Sequence, residues 1–219
     1  MLTFLALPAR ARRFFAATAL LVFAIPLTSC SSSTEPWSGT DISGALPALQ
    51  FTMMRARDGA EVTGGTYEGK VVLLYFGYTF CPDVCPLTLA NVAQVLKGLG
   101  KKAGDVRVLF VTVDPARDTL DVLKDYVSAF GPQVVGLRGT DDQLASLAKR
   151  YRVAHSAGRD SAGDYVVTHG PAVYAFDKEG KARMLYSNLS SSDADTDGMK
   201  ADLERLVGGS RASGLAAWF

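Results

Sequence analysis

The stretch Val71-Val72-Leu73-Leu74-Tyr75-Phe76-Gly77-Tyr78-Thr79-Phe80-Cys81-Pro82-Asp83-Val84-Cys85-Pro86 decides the fold. Val71 to Phe76 is an uninterrupted apolar run, the mark of a strand covered on both faces rather than one. Leu87 to Leu99 follows as an amphipathic stretch, so the strand feeds a helix. Val106 to Val113 is a second apolar run of the first kind, and strand, helix, strand in that order is a β-α-β unit with parallel strands. Two thiols one helical turn apart, Cys81 and Cys85, stand where the first strand delivers the chain to its helix.

Working outward, Leu49 to Ala56 reads as an earlier strand and Asp58-Gly59 as a turn. Asp118 is the expected N-cap of a helix running to about Phe130, with Asp121 in its first turn. Val134 to Leu137 is a short strand, and Asp141 to Tyr151 a helix ending on Lys149 and Arg150. Tyr165 to Thr168, Ala172 to Asp177 and Ala182 to Ser187 read as strands, with Lys178-Glu179-Gly180 as the last turn, and Met199 to Val207 as a closing helix. The pattern predicts an α/β fold of thioredoxin type, related to the peroxiredoxins, with a central mixed β-sheet flanked by helices.

Lys and Arg number 23 against 22 Asp and Glu, so no net field draws nucleic acid or an acidic partner. A hydrophobic fraction of 48% is ample for one core. The N-terminus reads as a processing segment. Arg10, Arg12 and Arg13 precede the apolar run Phe14 to Leu27, too short for a relaxed helix to span the roughly 30 Å hydrocarbon core. Leu27-Thr28-Ser29-Cys30 resembles the bacterial lipobox, which implies cleavage before Cys30 and a lipid upon it. The expected division is a signal peptide over 1–29, lipidated Cys30 with a flexible tether to 44, a folded domain over 45–208 and a tail over 209–219. The expected location is a bacterial membrane, with the domain in the periplasm or otherwise outside the cytoplasmic membrane.

With Cys30 lipidated, Cys81 and Cys85 remain as a lone pair in an exported protein, where a disulfide is accessible. Zinc ribbons and iron–sulfur clusters take about four N or S ligands, and no second cysteine pair exists. Helical i and i+4 positions hold their Cβ atoms roughly 5–6 Å apart, whereas a relaxed disulfide wants about 3.5–4.5 Å. A metal at about 2.3 Å from each sulfur tolerates the wider gap. Pro86 donates no backbone hydrogen bond, so the helix is expected to begin there and to leave Cys81 to Cys85 as a loop able to tighten. The spacing permits a disulfide or a metal and leans towards the metal. Nearness to a helix N-terminus is expected to lower the thiol pKa values.

His169 is the candidate third ligand, since in a thioredoxin-like sheet the turn His169-Gly170-Pro171 lies beside the cysteine loop. Pro171 falls where such folds carry a cis-proline facing the cysteines, and Gly170-Pro171 equally suits a plain trans turn. The other histidine, His155, is expected in a loop far from the thiols. Two thiolates and one imidazole suit Cu(I), and an added oxygen ligand accommodates Cu(II). Asp83, the carboxylate within the motif, reads as favouring the helix N-terminus.

These residues resemble the Sco (SenC-type) family of copper-binding thioredoxin-like proteins, from about Gly64 to Asn188. The blocks that carry the likeness are Gly69-Lys70, Tyr78 to Pro86, Val113-Asp114-Pro115-Ala116-Arg117-Asp118-Thr119, Val135 to Thr140, and the Tyr-x-x-x-His of Tyr165 to His169. The resemblance implies one copper on Cys81, Cys85 and His169. It implies a role in cytochrome c oxidase assembly, delivering copper to the dinuclear site on subunit II or reducing that site's thiols. Further partners would be another periplasmic copper chaperone or a thioredoxin-like reductant. Under the alternative, a thiol-disulfide oxidoreductase, Cys81 and Cys85 are the redox pair. Asp114 would either position the site or order its own turn. Two residues depart from the family pattern. Thr168 stands where the family commonly has an acidic residue, which is expected to weaken orientation of the imidazole, and Pro171 is unusual at its place. A peroxidase reading lacks its motif, because Thr79-Phe80-Cys81 does not have the Thr-x-x-Cys spacing.

Overall fold

The computed structural model describes residues 36–209; Cys30, the apolar segment before it and the tail from residue 210 lie outside them. Strands β1 (Thr40–Asp41), β2 (Thr52–Arg55) and β3 (Glu61–Thr63) precede the apolar strand β4 (Val71–Gly77). Helix α1 (Val84–Leu99) leads to β5 (Val106–Thr112), and α2 (Leu120–Ser128) to β6 (Val134–Arg138). After α3 (Asp141–Arg150) come β7 (His155–Arg159), β8 (Tyr165–His169), β9 (Val173–Phe176) and β10 (Ala182–Tyr186), with α4 (Thr196–Gly208) last.

Eight strands form one mixed sheet in the order β1-β10-β9-β4-β5-β6-β2-β3. The central strands β4, β5 and β6 run parallel, with Val71 opposite Val106 and Val108 opposite Val134. Strands β9 and β2 join them antiparallel on either side. Every residue of β4 is buried, and alternate side chains serve opposite faces. Val71, Leu73 and Tyr75 pack in one cluster with Leu89 and Val92 of α1 and Leu203 of α4; Val72, Leu74 and Phe76 pack in another with Leu144 and Leu147 of α3. The fold is the thioredoxin-like α/β sheet expected. Burying each such aliphatic or aromatic side chain stabilises by about 1.5–3 kcal/mol, which makes β4 a rigid platform for the cysteine loop at its carboxyl end.

Four expectations are corrected, and the open choice between a cis and a trans Pro171 is decided. Helix α1 begins at Val84 rather than Pro86, because a proline in a helix's first turn sacrifices only a donor with no helical partner. The N-cap of α2 is Thr119, whose hydroxyl accepts from Val122 N at 3.3 Å, because Asp118 is engaged elsewhere. Strand β8 is outside the main sheet: it pairs antiparallel with β7 alone, a strand whose sequence, His-Ser-Ala-Gly-Arg, carries no apolar alternation to betray it. His155 therefore lies in a strand and directly opposite His169, not in a distant loop. No peptide bond among the described residues is cis, so Gly170–Pro171 is trans, the form an X–Pro bond intrinsically prefers by about 0.5–1 kcal/mol.

Within the stretch read as tether, Thr40 and Asp41 pair with Leu185 and Met184 of β10. Buried Asp202 of α4 accepts from Ser38 N and Gly39 N at 3.1 and 3.0 Å. Among the described residues no helix is long and apolar enough to cross a membrane.

Candidate metal centre

The carboxyl ends of parallel strands are where α/β sheets place their sites, and three loops meet there. The end of β4 supplies Tyr78 to Asp83, the end of β5 supplies Val113 to Thr119, and the end of β8 supplies His169. Cys81 sits before α1 and Cys85 within its first turn. Both thiols are free and buried. The Cys81 sulfur accepts the backbone N–H of Cys85 at 3.4 Å, a donor the helix start leaves without a helical partner. The Cys85 sulfur lies 3.2 Å from His169 Nε2. The sulfurs of Cys81 and Cys85 and a ring nitrogen of His169 all fall within 4.8 Å of one another, a span that bonds of about 2.0–2.3 Å bridge with small adjustment.

The imidazole is aimed by its surroundings. Its Nδ1–H donates to the Gly170 carbonyl at 3.0 Å, so the neutral ring turns the lone pair of Nε2 towards the thiols, where the Cys85 S–H donates to it. Tyr75 and Tyr78 pack edge-on against the ring, with centroids at 6.0 and 5.8 Å. Thr168, one residue earlier on the strand, faces the other way and bonds across the hairpin to Ser156 Oγ at 2.8 Å. An acidic side chain at 168 is therefore not what orients this imidazole; the Gly170 carbonyl is. His155 opposes His169 in register but does not belong to the cluster of donor atoms.

Gly77, to which the sequence drew no attention, is a requirement of the site. A Cβ there would stand 2.8 Å from the Cys85 sulfur and 2.6 Å from Phe110 Cε2. Asp118 is the second residue missed. Fully buried, it accepts from Thr79 N at 3.1 Å, Thr79 Oγ1 at 2.6 Å and Thr112 Oγ1 at 2.5 Å, and so ties the cysteine loop to β5. Its place in a block of family-like sequence was the available signal, read there as a cap. Asp114, also fully buried, accepts from Tyr165 Oη at 2.8 Å and from Arg117 Nε. Asp83 occupies the N-cap position of α1 but makes no capping hydrogen bond, and with Pro171 it lines a shallow cleft of about 340 Å³ over Cys81 and His169.

Burial governs the protonation states. It lowers the His169 pKa, which keeps the ring a neutral donor at neutral pH, while the Gly170 carbonyl opposes the shift. It pushes the Cys85 thiol up to about 12 from 9.0, against the expected lowering, because the Cys85 sulfur lies in the core. A raised folded-state value means that stability is intact below the unfolded pKa near 9 and is lost as pH rises from there towards 12. Under reducing conditions, urea unfolding between pH 8 and pH 10 is expected to show the wild type losing about 1 kcal/mol more than Cys85→Ala. Equal losses would remove Cys85 as the cause.

The chain is similar to known proteins in both sequence and fold. The family model described as SCO1/SenC matches residues 43–207. The mitochondrial SCO2 homologue of Bos taurus is 41% identical over 137 residues, 61% of this chain and 52% of that protein. This chain spans about half the length of the curated relatives it matches. A solved structure of ScoI from Bradyrhizobium japonicum with copper bound is 35% identical, with a TM-score of 0.64 over 73% of this chain and 98% of that one. Yeast Sco1 with copper bound is 34% identical, with a TM-score of 0.62 over 72% and 90%. A match from residue 43 into the last helix, carried by both sequence and fold, leaves one assignment: the chain belongs to the SCO1/SenC family.

Proposed function

We propose that the domain binds one copper ion through Cys81 Sγ, Cys85 Sγ and His169 Nε2 and serves cytochrome c oxidase assembly by handing it to the dinuclear copper site of subunit II. The observation that carries this is the convergence of two thiols and one oriented, neutral imidazole nitrogen within 4.8 Å. Two soft sulfur donors and an imidazole suit copper, and relatives of the same fold hold copper. Exchange with a partner's ligands needs an open side, which the shallow cleft over Cys81 and His169 offers. The reading includes a lipid on Cys30 that keeps the domain at a bacterial membrane facing the periplasm, near an integral partner. A further periplasmic chaperone as copper source belongs to the same reading.

Thiol-disulfide exchange with a partner's cysteines, or with a thioredoxin-like reductant, is the second reading. It needs a thiolate without metal. A Cys85 thiol at about 12 is a poor source of thiolate in the metal-free protein, whereas a bound cation would displace the proton to solvent. Copper titration of the reduced protein tests the choice. One Cu(I) per chain is expected for the wild type, with Cys81→Ser and Cys85→Ser each losing tight binding in a competition assay. Binding indifferent to both substitutions would overturn the site. Tight binding by the wild type, with oxidase assembly undiminished by a copper-free variant that keeps both thiols, would favour exchange.

A further inference from the structure

The histidine and the cysteines are held by different parts of the fold. Cys81 stands on the β4–α1 connection and Cys85 in the first turn of α1, and the connection is tied to β5 through Asp118. His169 ends β8, whose strand partner is β7, and neither strand hydrogen-bonds to the eight-stranded sheet. Something must set the distance between this hairpin and the thiols. Strand alternation puts Tyr165, Val167 and His169 on one face of β8, the face turned to the domain. At one end His169 meets the Cys85 sulfur. At the other, roughly 13 Å away at about 3.4 Å per residue, the Tyr165 hydroxyl donates to Asp114 Oδ1 at 2.8 Å. Asp114 is wholly buried, and its second oxygen takes the Arg117 Nε. The Arg117 guanidinium in turn lies 4.4 Å from the centre of the Tyr165 ring and 4.8 Å from that of Phe80. A hydroxyl on a carboxylate is a stronger bond than a thiol on an imidazole, so in the metal-free protein the Tyr165 end holds the hairpin down.

We infer that Tyr165 is a positioning residue for His169: its bond to Asp114 latches the β7–β8 hairpin against the turn Asp114–Asp118, so that Nε2 meets the thiols without reorganisation. One turn then serves both halves of the site, Asp118 on the cysteine loop and Asp114 with Arg117 on the histidine arm. The inference deepens the copper-binding reading and rests on it. With the latch intact, ordering of the arm is complete before metal arrives; with it broken, metal binding must order the arm itself.

Tyr165→Phe tests this, because it keeps the ring over Arg117 and removes only the donor. Cu(II) titrations followed by thiolate-to-Cu(II) absorption would be run on the wild type, Tyr165→Phe, His169→Ala and the double variant. The expected result is a roughly tenfold loss of affinity on Tyr165→Phe in the wild-type background, and no further loss once His169 is absent. Asp114→Asn keeps an acceptor oxygen and is expected to fall between. Hydrogen exchange on the metal-free proteins supplies a second readout: backbone amides of Val166, Thr168 and Gly170, which the register turns towards β7, should exchange faster in Tyr165→Phe, with α1 unchanged. Equal losses in both backgrounds, no loss, or unchanged exchange in the hairpin would overturn the latch. A wild type that binds no copper would defeat the copper reading instead, and the exchange comparison would still decide the latch.

Discussion

Cu(II) affinity is expected to fall by more than a hundredfold on replacing His169 by alanine, while Cu(I) remains bound to the two thiols with a smaller loss. Losing a group that merely orients a ligand costs roughly 10–100-fold in metal affinity, and here the ligand itself goes. The two ions part company for a reason of coordination. Cu(I) is content with two soft sulfurs, whereas Cu(II) prefers a larger set that includes nitrogen or oxygen. The imidazole is held neutral by burial and turned by the Gly170 carbonyl, so it offers Nε2 without proton loss at neutral pH. The check is a pair of competition titrations, one for each oxidation state, beside the absorption band of the Cu(II) complex. Unchanged Cu(II) affinity and an unchanged band would remove His169 from the site.

The largest loss of stability is expected at Asp118. Asp118→Ala leaves Thr79 N, Thr79 Oγ1 and Thr112 Oγ1 without their acceptor, the first two half-buried and the third in the core. Hydrogen bonds to a charged group contribute about 1.5–3 kcal/mol each, and orphaned donors cost more than the mean bond is worth. The expected destabilisation is about 3–5 kcal/mol, with a melting temperature lower by about 10 °C for a domain of this size. Asp118→Asn keeps one acceptor and should recover part of it. Copper affinity measured well below the melting range should also fall in Asp118→Ala, since the loop that carries Cys81 loses its tie to β5. Both variants within about 1 kcal/mol of wild type would show that the three bonds contribute little.

The central strands and the helices were legible because burial leaves a mark on composition. A strand covered on both sides must be apolar throughout, as Val71–Gly77 is and Val106–Thr112 nearly is. The ligand trio was legible because few residue types bind soft metals and this chain has two histidines to choose from. What escaped notice is held by polar bonds between residues distant in sequence. Asp118 reads as a cap by local rules, and Thr79 and Thr112 claim it instead. His155–Arg159 has no strand pattern of its own and becomes one by pairing with Tyr165–His169. The thiol shift failed in the same way: the helix start is a local cue, whereas burial of Cys85 is a property of the assembled core.

The strand order has a consequence for association. The sheet's two borders are strands of two and three residues, β1 and β3. Borders so brief present a neighbouring chain with too few free backbone groups to template a ninth strand, one of the ways sheet proteins resist sticking edge to edge. A partner that docks on either border of this sheet must therefore be recognised by side chains and loops rather than by strand addition. Copies of this domain can thus stand at high local density without zipping together along the borders of the main sheet.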